Sequence, residues 1–284
     1  MSMLATYRSR VQYLIIRAVK HPLITLSIIV IVAVVFSAVA APWLTPYQPD
    51  EQVLLDRLQA PSRDHLLGTD HLGRDVLTRI MYAGRFSLTV TGIALLLSAV
   101  IGTILGAISG RAGGLVDEFV MRVVDLMLAF PSEILALLLA SMIKPGAITI
   151  VLAVLLTGWT TFARLARASS LEVSTKEFVL AATSLGASEA AIVRRHIIPN
   201  ILPPILALEF VRFGHLMLSI AGLSYLGLGA QPPTADWGLM LADAQPYMQR
   251  VPSLVLAPSL VIFATALSVT ILGQEISRRL DPEQ

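Results

Sequence analysis

The chain has 284 residues, 55% of them apolar and only 14% charged, with a mean hydropathy of +0.75. A soluble domain carries about a quarter charged residues to meet water, so much of this surface meets something else. The formal net charge of +2, with no basic stripe interleaved with aromatics, excludes a nucleic-acid partner, and the absence of cysteine excludes disulfides, thiolate metal sites and cysteine nucleophiles.

Runs of about 20 apolar residues match a hydrocarbon core of roughly 30 Å, and six occur. They are too long for barrel strands, and helices satisfy the backbone inside lipid, so the expected fold is all-α with six transmembrane helices. A lead, 1–22, carries Arg8, Arg10, Arg17 and Lys20 ahead of the first run, 23–43. Ala38-Val39-Ala40 resembles a signal-peptide cleavage site, but the run exceeds a usual h-region and further spans follow, so it reads as an uncleaved span. Segment 44–85 is a large loop rich in proline, with a short amphipathic helix expected over 75–82. The remaining five spans form a core over 86–276: 86–109, 119–143 interrupted by Pro131, 147–168, 200–228 and 254–276, with the tail at 277–284.

An even number of spans puts both termini on one side. The side of the termini, with segments 110–122 and 164–199, holds thirteen Lys and Arg, against seven on the other. The positive-inside rule then makes the termini and loop 169–199 cytoplasmic and 44–85 external in a multi-pass protein.

Gly102, Gly106 and Gly110 stand four apart on one helix face, a small-residue stripe that lets another helix approach closely. Among ionisable residues at span depth, Glu133 follows Pro131, and Glu209, Arg212 and His215 fall at i, i+3, i+6, a stripe about 120° wide. Charges there cost at least a few kcal/mol each, so they pair or face a wet cavity. One reading pairs Glu209 with Arg212 and lets Glu133 meet Arg212 across helices; the other makes the group line a solute path.

In loop 169–199, Phe178, Ala182 and Leu185 recur at helical spacing. Gly186 interrupts, Ser188-Glu189 caps a second short helix, and Pro199 is expected to stop it. Two short helices in an L would either lie on headgroups or press into a partner's groove.

Ala181-Ala182, Gly186 four residues on, and Ile198-Pro199 resemble the EAA loop of bacterial ABC importer permeases. Leu180 replaces the usual acid, with Glu177 three positions earlier, and His196 replaces an apolar residue. Both departures resemble the peptide and nickel importer branch, as do HLLGTDHLGRDVLTRI at 65–80, AGLSYLGLGAQPPTADWGLML at 221–241 and LDP at 280–282. The resemblance, from about residue 20 onward, implies a six-span subunit paired with a second permease, two ATPases and an external solute-binding protein. Its ATPase-coupling residues would be Glu177, Ala181, Ala182, Gly186, His196 and Pro199. It implies transport of short peptides or of nickel, free or chelated.

No GxxxxGK[ST] occurs, so ATP and its magnesium belong to partner subunits and the chain itself is read as binding no cofactor and catalysing nothing. There is no HExxH and no carboxylate triad at ligand spacing, so a fixed metal site is not expected. An ion-coupled secondary transporter would show an inverted repeat, and none is evident. An intramembrane hydrolase would need a nucleophile, base and acid together, whereas Ser219, Ser224 and His215 offer no such set.

Overall fold

The computed structural model describes residues 22–280. The basic lead, His21 and the closing Asp281-Pro282 lie outside the described residues, as do the side chains of Arg279 and Leu280. Every regular element in the described residues is helical. Five helices are long and apolar enough to span a membrane, and a bent pair makes a sixth.

The first helix, α1 (Pro22–Leu44), is apolar on all sides, as a lipid-facing helix is, and its Ile, Val and Phe side chains are largely exposed. The second, α2 (Val76–Ala112), starts where Asp75 accepts a hydrogen bond from the Thr78 amide at 2.7 Å and ends at Gly113, whose φ is +62°. Nothing breaks the helix between, so the separate element expected over 75–82 is instead its first turns. Its 37 residues extend about 55 Å, well past a hydrocarbon core of about 30 Å.

The third span is two helices, α3 (Gly114–Leu128) and α4 (Ser132–Met142), bent by 86°. Pro131 lacks the N–H a continuous helix would need and instead caps α4 with extended ψ. Glu133, expected near mid-span, therefore sits in the first turn of α4, exposed at the bend. Helix α5 (Ala147–Ser174) runs six residues past the expected end.

After α5 come two short helices, α6 (Glu177–Ser184) and α7 (Glu189–Ile192), and a π turn over Val193–Ile197 that leads directly into α8 (Ile198–Tyr225). The expected stop at Pro199 does not occur. Proline is tolerated in a first helical turn, where its missing N–H would be unpaired anyway, and Pro199 occupies that turn of α8. The short α9 (Trp237–Ala244) and the long α10 (Ser253–Leu280) complete the bundle.

The tightest pairing is α2 with α5. A Cβ on Gly102, Gly106 or Gly110 would stand 2.3 Å from the Trp159 carbonyl oxygen, 2.2 Å from that of Ala163 and 2.6 Å from that of Arg167. The stripe thus serves packing within the subunit, and the Ser170 hydroxyl donates to the Ala107 carbonyl oxygen at 3.0 Å across the same seam. Helices α8 and α10 also approach closely, with Gly214 against Ala266 and Gly273 against Phe210 and Val211.

Segment 44–75 folds over one end of the bundle on a buried ion network. Arg74 Nε meets Asp70 Oδ2 at 2.6 Å and Arg74 Nη2 meets Asp243 Oδ2 at 3.4 Å, while Arg79 Nε reaches the same Asp70 oxygen at 3.6 Å. Because α9 carries Asp243, the network ties the loop to α9. Trp237, 2% exposed, adds a hydrogen bond from its indole to the Ile80 carbonyl oxygen at 3.0 Å, and the Ser87 hydroxyl donates to Asp236, the cap of α9, at 2.6 Å.

Candidate functional site

Two features of the bundle carry functional geometry: a cavity among α3, α4, α5 and α8, and the short helices α6 and α7 at the end opposite segment 44–75.

The cavity measures about 810 Å³. It exists because the bend at Pro131 swings α4 away from a straight course and leaves α5 and α8 facing open space. Apolar side chains make most of its wall, and Glu133, Thr157, Thr161, Arg212, His215 and Ser219 are among its polar groups. Arg212 and His215, two of the three residues of the expected stripe, line the cavity from α8 together with Ser219. Arg212 does not pair with Glu209. Its Nη1 donates instead to Thr161 Oγ1 on α5 at 2.9 Å, and Glu133 stands on the same cavity without ion-pair contact to it. Glu209 lies off the cavity wall, half-buried, with no hydrogen bond or ion pair among the described residues. The i, i+3 spacing allowed the pair, but the guanidinium turns across the helix interface to a hydroxyl. Glu133, Arg212 and His215 thus share a cavity, and Glu209 does not belong with them. Sequence reading missed Thr157 and Thr161, although the hydroxyl cluster in Thr157-Gly158-Trp159-Thr160-Thr161 interrupts an apolar run.

The second feature is a pair of short helices, α6 and α7, joined by a tight turn. Gly186 turns the chain between α6 and α7 at φ +80°, a region L side chains rarely adopt. Ser188 caps α7 by accepting from the Ala191 amide. Val179 and Ile192 are fully buried and anchor the pair beneath α2 and α5. Outward, Phe178, Leu180 and Leu185 are exposed, Leu185 to 88%, and Glu177, Ala181 and Gly186 lie on the same open surface. His196, in the π turn, is half-buried with its ring 6.2 Å from that of Phe178. Pro199 is exposed at the start of α8.

A bundle of membrane-length helices that encloses a cavity with a few polar groups, and that carries a pair of short helices with exposed apolar side chains at one end, fits a membrane transport subunit. Comparison with known proteins makes the class specific. Residues 102–282 match the family described as binding-protein-dependent transport system inner membrane component, and residues 9–61 match the N-terminal transmembrane domain of oligopeptide transport permease C. The chain belongs to this family of ABC importer permeases. It is 36% identical over 259 residues to the nickel transport system permease protein NikC of Escherichia coli (strain K12), covering 91% of this chain and 94% of that protein. It is 36% identical over 264 residues to the dipeptide transport system permease protein DppC of Alkalihalophilus pseudofirmus, and 35% identical over 264 residues to the oligopeptide transport system permease protein OppC of Bacillus subtilis. Each of those alignments covers 93% of this chain and 87% of the relative. Among solved structures, the MetNI methionine ABC transporter in inward facing conformations superposes with a TM-score of 0.59 at 16% identity, covering 71% of this chain and 96% of that one. The last likeness shows the fold.

Proposed function

We propose that this permease, paired with a second related permease, gives a short peptide or a chelated nickel species alternating access across the inner membrane, driven by two ATPase subunits and supplied by an external solute-binding protein. The observation that carries this reading is the cavity, where one wall holds Arg212 bonded to Thr161 and the bend at α4 presents Glu133. A fixed cation beside an acid and several hydroxyls suits a solute with both a carboxylate and a positive centre. Arg212 opposes a bare divalent cation, so nickel would pass only with anionic ligands around it. The named substrates of the relatives, nickel, dipeptide and oligopeptide, agree with these two classes.

In this reading α6 and α7 dock on an ATPase through Phe178, Ala181, Ala182 and Leu185, with both termini cytoplasmic and segment 44–75 external, as the Lys and Arg distribution requires. Closure of the ATPases must favour one state of the bundle through contacts that differ between states. Magnesium and ATP stay on those partners. The test is purification of the native complex with its solute-binding protein, followed by calorimetric binding of dipeptides, tripeptides, Ni(II) and Ni(II)–histidine. Binding of a peptide or of chelated nickel is the expected result, and binding of Ni(II) alone with no effect of histidine would overturn the substrate reading.

A further inference from the structure

The helices α6 and α7 are continuous with α5 and α8, but their link to α2 is different in kind. Among the described residues, every hydrogen bond joining α2 to α6 or α7 comes from one side chain, Arg111, at the last turn of α2. Its Nε donates to Glu189 Oε2 at 2.6 Å and its Nη2 to Glu189 Oε1 at 3.0 Å, a bidentate fork onto the first residue of α7. The same Nη2 reaches Thr183 Oγ1 at 3.3 Å, near the end of α6. One guanidinium therefore holds both sides of the turn at Gly186.

An exposed ion pair alone would contribute little. Three observations set this one apart. Arg111 is mostly enclosed, its side chain 14% exposed against 67% for Glu189, so the fork is held in place from the α2 side only. The helix it ends is locked to α5 by Gly102, Gly106 and Gly110, which leave no space for α2 to slide. A second pair braces the last turn of α2: Asp117, at the start of α3, accepts from Arg167 Nη2 on α5 at 2.6 Å and from the Ser109 hydroxyl on α2. At its other end α2 carries Arg79 in the buried network with Asp70 and Asp243.

We infer that Arg111 is the positioning residue that ties the end of α2 directly to the docking helices, so that their displacement reaches α2 at its own end as well as through α5, and one rigid helix connects the ATPase-facing loop to the opposite mouth. The inference rests on the docking role of α6 and α7 given above. Without the fork, α6 and α7 would still hang from α5 and α8 and could follow an ATPase, but the end of α2 would follow only through its seam with α5 and the apolar contacts of Val179 and Ile192, with no polar tie of its own to them.

The test needs no knowledge of the solute. Ser219 lines the cavity, and the chain has no native cysteine, so S219C reports access to it. Inside-out vesicles holding the whole complex, with the binding protein sealed in the lumen, are treated with a membrane-impermeant maleimide with and without ATP plus vanadate. Labelling is read on this chain alone. In the parent, trapping should suppress labelling as the cavity leaves the cytoplasmic side. With Arg111→Ala, the suppression should shrink by about fivefold, the size a partly exposed bidentate pair supports, while the ATPases still co-purify and still trap nucleotide. With the exchanged pair R111E/E189R, suppression should return to within about twofold of the parent, and with E189R alone it should be lost. The exchange carries the decision if Arg111→Ala does not accumulate. Full suppression in Arg111→Ala or in E189R, or no recovery in the exchanged pair, overturns the role of Arg111. Absence of suppression in the parent itself would instead overturn the alternating-access reading of the cavity, and the inference with it.

Discussion

Gly106 of α2 lies so close to Ala163 of α5 that a methyl group on it would stand 2.2 Å from the Ala163 carbonyl oxygen and 2.8 Å from the Ala166 Cβ. Backbone cannot yield as a flexible side chain can, so the helices would have to separate. Gly106→Leu should therefore cost about 3 kcal/mol or more by overpacking, and the protein should fail to accumulate in the membrane. Gly92, on the same helix, has nothing within 4 Å of its would-be Cβ, and Gly92→Ala should accumulate normally. Immunoblots of membrane fractions compare them, and equal abundance of the Leu and Ala variants would contradict the close approach.

That seam also marks how far the sequence could be read. Glycines four apart announce a close approach, but the spacing names no partner, and α5 is fixed as the partner only by three-dimensional packing. The cap Ser188 and the turn at Gly186 were legible because they depend on bonds within a few residues. Pro199 misled because proline ends one helix or begins the next with equal ease, and only the π turn before it decides. The Glu209–Arg212 pair failed for a similar reason: helical spacing permits the contact, while Thr161, 51 residues away, captures the guanidinium. Arg111 and Glu189, 78 residues apart, leave no periodic trace at all.

The buried network over the 44–75 end makes a prediction about stability. Arg74 and Asp70 have side chains only 4% and 12% exposed. Arg74→Met removes one partner and leaves Asp70 with Arg79 at 3.6 Å as its remaining ion partner. Breaking a buried pair this way costs about 3–5 kcal/mol. The solubilised complex should lose its thermal midpoint by several degrees in scans at one fixed rate, since unfolding of such complexes is irreversible. An unchanged midpoint would show that the network is dispensable.

Topology has a direct check. Ser62 and Thr175 are both exposed, at opposite ends of the bundle. In a chain without native cysteine, S62C should react with an impermeant maleimide in spheroplasts, and T175C only after the membrane is permeabilised. Reaction of both from outside would reverse the charge argument.

Arg212 meets no acid within ion-pair distance, so its removal should not strand a buried carboxylate. Arg212→Met is expected to accumulate and assemble like the parent, because a charge at span depth costs a few kcal/mol that methionine avoids. Uptake of the ligand found to bind the solute-binding protein should fall about tenfold or more, consistent with the loss of one charged hydrogen bond of about 1.5–3 kcal/mol. Thr161→Val, which keeps the charge but not its anchor, should show a smaller loss. Full uptake in Arg212→Met would remove the residue from the path.

The turn between α6 and α7 gives the final prediction, and the structure sharpens what should be substituted there. Gly186 has nothing within 4 Å of its would-be Cβ, so bulk as such is not excluded. The constraint is its φ of +80°. A β-branched residue is a true outlier at positive φ, whereas asparagine tolerates the left-handed region. Gly186→Asn should thus keep near-normal transport, and Gly186→Val should distort the turn and spoil docking. Ala182, half-buried on α6 beside exposed Ala181 and Leu185, tests the surface separately: Ala182→Trp leaves the backbone free but changes the face offered to an ATPase. Both disruptive variants should reach the membrane at parental abundance, since the spans α1 to α5, α8 and α10 are untouched. The measurement is ATPase activity of the reconstituted four-subunit complex with and without ligand-loaded binding protein. Stimulation should be retained in Gly186→Asn and lost in Gly186→Val and Ala182→Trp, through poor co-purification of the ATPases or through hydrolysis that ignores the binding protein. If valine and asparagine at 186 behave alike, the backbone turn is not what presents the docking surface; if tryptophan at 182 is also silent, α6 is not the docking helix.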